Sequence, residues 1–191
     1  MLRRLSLVAL ALTALTACGD NGALTASILV APDTLVAYAL TGTPSSYPSG
    51  LSTVGRTVVH VDGSASFDVA FDINSAGNVV VYPVRVLVSL EAGAPSVGFQ
   101  TLPLIAFDSL TQAPTGYYRP DTTMTVSIGE TFVILANRNG GSTTCYAIAT
   151  PQIYSKVVID SVNLGNRSIH FRQVVDPNCG YRSFIYGLPT S

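Results

Sequence analysis

Phe67-Asp68-Val69-Ala70-Phe71-Asp72-Ile73 alternates large apolar residues with small or acidic ones through seven positions. A period of two marks a strand, with Phe67, Val69, Phe71 and Ile73 on one face and Asp68, Ala70 and Asp72 on the other. Such a strand is expected to have one buried and one wet face, as antiparallel sheets commonly do. Asn74-Ser75-Ala76-Gly77 supplies turn residues next, and an apolar run over 79–90 follows. On period two, Val80, Tyr82, Val84, Val86, Val88 and Leu90 share one face of that run, and Val79, Val81 and Leu87 the other. A strand apolar on both faces is normally central, yet Pro83 lacks the N–H that a ladder needs. The pattern predicts a strand that bends at Pro83 and crosses from one sheet to another.

The same alternation, rich in Val, Ile, Thr, Phe and Tyr, extends in both directions. On the N-terminal side, 33–40 and 56–61 read as strands separated by the Pro/Gly/Ser-rich loop 41–52. On the C-terminal side come a strand over 97–102 and a long connection, 103–121, carrying Pro103, Pro114 and Pro120. A hairpin of 122–128 and 131–136 is predicted about Gly129-Glu130. Segments 144–149, 153–162, 168–175 and 181–186 complete the set, and Asn163-Leu164-Gly165-Asn166 is a hairpin signal between the middle two. No amphipathic helical period follows the first 17 residues. Roughly ten short strands with Gly/Pro turns predict one all-β domain over 28–191, an antiparallel β-sandwich or barrel-like fold.

The N-terminus is of a different kind. Arg3 and Arg4 precede an apolar run over 5–17 broken only by Ser6, Thr13 and Thr16. The run is shorter than the about 20 residues of a bilayer-spanning helix, and it has the length and small-residue end of a secretory signal. It closes on Leu15-Thr16-Ala17-Cys18, which resembles the lipobox of bacterial lipoprotein precursors. The resemblance implies that 1–17 is a signal peptide that is removed, that the Cys18 thiol is lipidated, and that Cys18 becomes the first mature residue. A diacylglyceryl cysteine carries at least two acyl chains; at about 0.8 kcal/mol per buried CH₂ these make a stable membrane anchor, where one chain is marginal. Residues 18–27 are then a lipidated tether, small and polar after the cysteine. Gly19 stands where aspartate favours inner-membrane retention in some Gram-negative lineages. The resemblance therefore implies an outer-membrane lipoprotein, facing the periplasm or the surface. The covalent lipid on Cys18 is the one bound group implied, with no other cofactor.

Without the leader 174 residues remain, enough for one sizeable domain or two small ones, and eight basic residues face 11 acidic ones for a net charge near −3. Lys and Arg form no cluster, which argues against nucleic acid as a partner. Charged residues are 11% of the chain, against about 25% in an average soluble domain. Ser, Thr, Asn and Gly supply the polarity instead, as suits an extracytoplasmic β protein. The lone lysine, Lys156, beside nine arginines reads as codon bias.

Acylation of Cys18 leaves Cys145 and Cys179 as an even pair in a disulfide-permissive compartment. They sit at strand ends that antiparallel hairpins bring together, and their disulfide is expected to contribute about 4 kcal/mol on the chain-entropy model. A structural zinc wants four ligands, more than this neighbourhood supplies. His60 shares a strand face with Val58 and His170 one with Ser168 and Arg172, and both histidines are predicted to face solvent. Residues 72–77 echo a calcium loop, but Ala76 at its fifth position and Pro83 at its twelfth offer no ligand, so a β-turn is expected. There is no Gly-x-Ser-x-Gly elbow and no carboxylate pair selected by spacing, so no catalytic residue and no metal ligand is assigned.

The candidate contact loop is Tyr117-Tyr118-Arg119-Pro120-Asp121. Tyr and Arg are enriched at binding hot spots, and Pro114, Gly116 and Pro120 restrict or redirect the backbone that presents them. The alternative is that the tyrosines fold back over a core edge. The expected function is a non-catalytic binding or structural role at the membrane, with an envelope protein or a small ligand, haem or carbohydrate, as partner. An extracytoplasmic hydrolase is the remaining class.

Overall fold

Most of the predicted strands form in the computed structural model, which describes residues 26–63, 66–88, 96–137 and 152–189. They are β1 (Ala31–Tyr38), β2 (Gly50–Ser52), β3 (Thr57–Val59), β4 (Val69–Ile73), β5 (Val79–Pro83), β6 (Ser96–Thr101), β7 (Arg119–Pro120), β8 (Met124–Val126), β9 (Thr131–Asn137), β10 (Gln152–Asn163) and β11 (Ser168–Asp176). One antiparallel sheet has the order β1-β11-β10-β9-β6-β7 and the other β3-β2-β4-β5-β8. The fold is an all-β sandwich of two sheets, and the described strands close no barrel.

Period two survives into the packing. The register of β9, β10 and β11 sets Phe132, Ile134, Val157, Ile159, Ile169 and Phe171 on one face. They bury against Val69, Phe71, Val79 and Val81 of the other sheet. Phe71 and Phe171 meet across the interface with ring centroids 5.1 Å apart. Each such side chain contributes about 1.5–3 kcal/mol on burial. A second apolar cluster covers the opposite face of the six-stranded sheet. There Val133, Tyr154, Val158 and Val174 lie under Phe107, Leu110 and Ala113 of the 103–121 connection and Phe184 of the C-terminal segment. Burial on both faces explains why β9 is apolar from Phe132 to Ala136 and β10 from Val157 to Ile159.

Several expectations need correction. The face of 67–73 predicted to be wet is buried, Asp68 and Asp72 included. Thr53 donates to Asp68 Oδ2 from its N at 2.7 Å and its Oγ1 at 2.6 Å. Asp72 Oδ1 accepts from Thr41 Oγ1 at 2.9 Å and from Arg167 Nη2 at 3.1 Å. A carboxylate tolerates burial when donors replace its water. The 79–90 run is not one strand, because Pro83 ends β5. With φ at −63° it starts a four-residue helical turn, α1 (Val84–Leu87). The chain does change sheets here, from β5 to β6.

Segments 122–128 and 131–136 do not pair as a hairpin. β8 joins β5, while β9 joins β6 and β10. Gly129, at φ +81°, makes a corner between the sheets and donates its N–H to Ile159 O at 2.8 Å. The predicted 181–186 strand reduces to a single bridge, Gln112–Ser183, with another just beyond it at Val30–Gly187. β2 forms inside the predicted 41–52 loop. The 163–166 turn does form, with Asn163 Oδ1 accepting from Gly165 N and Asn166 N. The 144–149 strand lies outside the described residues.

Candidate functional site

β7 is one outer edge of the six-stranded sheet, pairing Arg119 with Phe99 and Pro120 with Gly98. That pairing divides the two tyrosines of the contact loop. Tyr118 folds back onto the sheet, its ring 6.0 Å from that of Tyr154 and its hydroxyl donating to Pro114 O at 3.1 Å. It sits so close to β6 that a Cβ on Gly98 would lie 2.9 Å from its own Cβ. Burial pushes the Tyr118 phenol up, Tyr154 adds to the shift and Arg182 opposes it. For Tyr118 the packing alternative holds.

Tyr117 turns the other way. Its φ is +68° and it is 94% exposed. A bulky residue in the left-handed region costs about 1–3 kcal/mol, and the outward ring recovers little of that by packing. Asp121 fixes the loop's end: its N donates to Val97 O at 2.8 Å, and its Oδ1 accepts from Val97 N at 3.2 Å.

Tyr117 and Arg119 consequently line a cleft of about 410 Å³ between the β6–β7 edge of one sheet and β8 of the other, with Phe99, Gln100, Thr101, Thr122, Thr123, Met124 and Thr125. Small-molecule sites span about 300–1,000 Å³. Four threonines and one glutamine line the cleft with Tyr117, and Arg119 is its one charged residue. No ion pair involves Arg119 among the described residues.

No family model, curated protein or solved structure matches this chain. The site is therefore interpretable only from its own chemistry.

The other residues singled out from sequence are dispersed. Cys18 and Cys145 lie outside the described residues. Cys179 is buried against Ile153 and Val175. His60 and His170 are both exposed, and His170 Nε2 lies 3.4 Å from Ser168 Oγ. The calcium-loop echo is a turn. Asn74 Oδ1 accepts from Ala76 N and Asn78 N, while Asp72 is held by Arg167 and Thr41. Among the described residues no three His, Cys, Asp or Glu side chains come together in a way that holds a metal.

Sequence reasoning missed Lys156. It takes the outer-face position of β10 between Tyr154 and Val158 and is 3% exposed. Its Nζ donates to Phe107 O at 2.7 Å and Leu110 O at 2.9 Å, and lies 4.4 Å from the centroid of the Phe107 ring. Burial lowers its pKa, against the opposing charge of Asp108 and with a smaller push from Arg172. The available signal was a cation in mid-strand with valines on both faces, a position that demands acceptors from elsewhere. Lys156 is not a compositional accident; it fastens the 103–121 connection to the sheet.

Proposed function

We propose that this protein is a lipid-anchored, non-catalytic binding protein of the cell envelope, in the outer membrane, and that its cleft takes a saccharide. The anchor rests on the sequence Leu15-Thr16-Ala17-Cys18 behind its charged and apolar leader, and the outer membrane on Gly19. The observation that carries the binding reading is Tyr117, held at φ +68° with its ring in solvent beside Arg119 and a row of threonines. Strain of this kind persists where the surroundings over-determine it, and it gathers at ligand clamps. A sugar offers a C–H face to an aromatic ring and hydroxyls to Thr and Gln side chains, the two kinds of group in this lining. Arg119 adds a preference for a carboxylate or phosphate substituent, which a guanidinium binds in bidentate fashion. Haem has weaker support, since the lining is mostly polar and holds no histidine.

The test is glycan-array capture followed by titration of whatever binds. Tyr117→Ala with Arg119→Ala should weaken binding by about tenfold or more, equivalent to about 1.4 kcal/mol, with the melting temperature unchanged. Capture of no acidic or neutral glycan, or capture indifferent to the double substitution, rejects the saccharide. The anchor has its own test: a palmitate analogue should label the protein in cells, and Cys18→Ser should abolish the label. We further assign Cys145 as the disulfide partner of Cys179, to be checked by non-reducing peptide mapping of mature protein.

A further inference from the structure

Five large apolar side chains are exposed where the described chain begins and where it ends: Ile28, Leu29, Ile185, Tyr186 and Leu188. Three of them, Leu29, Tyr186 and Leu188, belong to one surface. Val30 and Gly187 exchange both backbone hydrogen bonds, at 2.8 Å and 3.0 Å. An antiparallel bridge of that kind sets Leu29 across from Leu188, with Tyr186 on the same side of the bridge. Asn178 fixes the incoming chain there. Its Oδ1 accepts from Ser27 N at 2.9 Å and Ile28 N at 3.0 Å, and its Nδ2 donates to Ile28 O at 2.8 Å. Val30 is buried in the outer cluster, so Leu29 is exposed by strand alternation at a pinned position. Leu29, Tyr186 and Leu188 are 59%, 57% and 56% exposed. Grouped exposure of this kind marks an interaction surface.

Its position identifies the partner. The patch adjoins Ala26, and Cys18 lies eight residues before Ala26, a span of at most about 28 Å. Aliphatic side chains beside a tyrosine suit the boundary of a bilayer, where the ring sits among apolar groups and the hydroxyl stays wet. We infer that this patch seats on the lipid bilayer as a second membrane contact beside the acyl chains. The inference rests on the lipid-anchored reading of Cys18 and adds an orientation to it. Val30 leads into β1, one edge of the six-stranded sheet, whereas the cleft lies at β7, the other edge. Five inter-strand spacings of about 4.8 Å separate those edges by about 24 Å. A domain seated by its β1 edge holds the cleft away from the membrane.

The chain contains no tryptophan, so Tyr186→Trp creates a single fluorophore in the patch. The mature lipidated protein is reconstituted into phosphatidylethanolamine/phosphatidylglycerol vesicles with brominated acyl chains and floated. Its emission is compared with that in unbrominated vesicles. Leu188→Trp is a second reporter, should the first disturb the patch, and Tyr117→Trp reports the far edge. The protein should float, and bromolipid should remove most of the emission at 186 and 188 but little at 117. Adding Leu29→Glu should restore the quenched emission. Floating protein that is unquenched at 186 and 188 overturns the patch and leaves the anchor standing. A blue-shifted but unquenched reporter means that protein, a second copy included, covers the patch, and overturns it as well. Equal quenching at 117 overturns the orientation. Protein that does not float overturns the anchor, and the inference falls with it.

Discussion

Replacing Lys156 by methionine keeps most of the stem and removes only the ammonium, so it isolates what that group holds. Two acceptors take bonds from it, Phe107 O at 2.7 Å and Leu110 O at 2.9 Å, and Phe107 O keeps a longer bond from Leu110 N at 3.4 Å. Orphaning the buried Leu110 carbonyl costs about 1–3 kcal/mol, and the bond lost at Phe107 O about 1 more. Burying the ammonium is itself unfavourable, and removing it returns part of that sum. A net loss of about 1–3 kcal/mol is expected, a fall in Tm of about 2–12 °C for a chain of this size. The pH dependence supplies a second signature. Because burial lowers the Lys156 pKa, the folded chain sheds this proton before the unfolded chain does. Stability from this group therefore rises as pH climbs through the folded pKa towards the ordinary lysine value. The neutral amine still has two N–H groups for its two carbonyls. Melting curves of Lys156→Met should lack that alkaline rise, and the gap to wild type should widen with pH. An unchanged or higher Tm at neutral pH, or a gap that narrows in alkali, refutes the fastening role.

Three further outcomes follow from the same geometry. Tyr118→Ala, which removes a half-buried ring and its bond to Pro114 O, should cost about 2 kcal/mol, whereas Tyr117→Gly should raise Tm by relieving φ +68°. A Tm lowered by the Tyr117 change would mean that its backbone is not strained. Gly98→Ala should cost about 1–3 kcal/mol by overpacking, because the new methyl meets Tyr118 Cβ at 2.9 Å; paired with Tyr118→Ala the penalty should largely vanish, and full additivity in denaturant melts would contradict the contact. Asp176 is buried and desolvation raises its pKa, with hydrogen bonds from Asn178 opposing. Its charged form therefore disfavours folding as pH rises through the folded pKa. Asp176→Asn should stabilise at neutral pH by a margin that shrinks on acidification, and a margin independent of pH would show that the carboxylate is not the cause.

The sandwich was legible because its signal is local. Alternation in 67–73 and 153–162 records which side chains share a face, and those faces are the ones the sheets bury. What covers the remaining face is a long-range matter. Asp68 finds its donors at Thr53 and Lys156 finds its acceptors at Phe107 and Leu110, so local pattern alone returned "wet" for one and nothing for the other. Gly129 shows the same limit in a turn. Its positive φ serves a hairpin and an inter-sheet corner equally well, and only the partners of β8 and β9 distinguish them. The contact loop was legible as a cluster but not as a division of labour. Which tyrosine turns inward is set by the vacancy at Gly98 on a strand 20 residues earlier.

The cleft's location follows from where the sandwich is not stapled. At the β1 edge, Arg56 grips Asp33 through two contacts of 2.8 Å and also donates to Ala31 O, while Gln173 Nε2 reaches the same carboxylate at 3.3 Å. That network ties β1 to the turn between β2 and β3. Arg167, in the turn between β10 and β11, donates to Thr41 O, Asp72 Oδ1 and Ile73 O, joining the six-stranded sheet to β4. Both arginines sit at positive φ, +53° and +55°, so each holds a strained backbone in a turn and secures it with several charged hydrogen bonds. At the β7 edge the described residues offer a two-residue strand and a long contact, Arg85 Nη1 to Asp121 Oδ2 at 3.8 Å, in place of such clamps. Side chains thus close the sandwich on the side where the described chain begins. They leave it open on the side where Tyr117 and Arg119 stand, and a ligand that bridges β6–β7 to β8 would supply the inter-sheet contacts that this edge lacks.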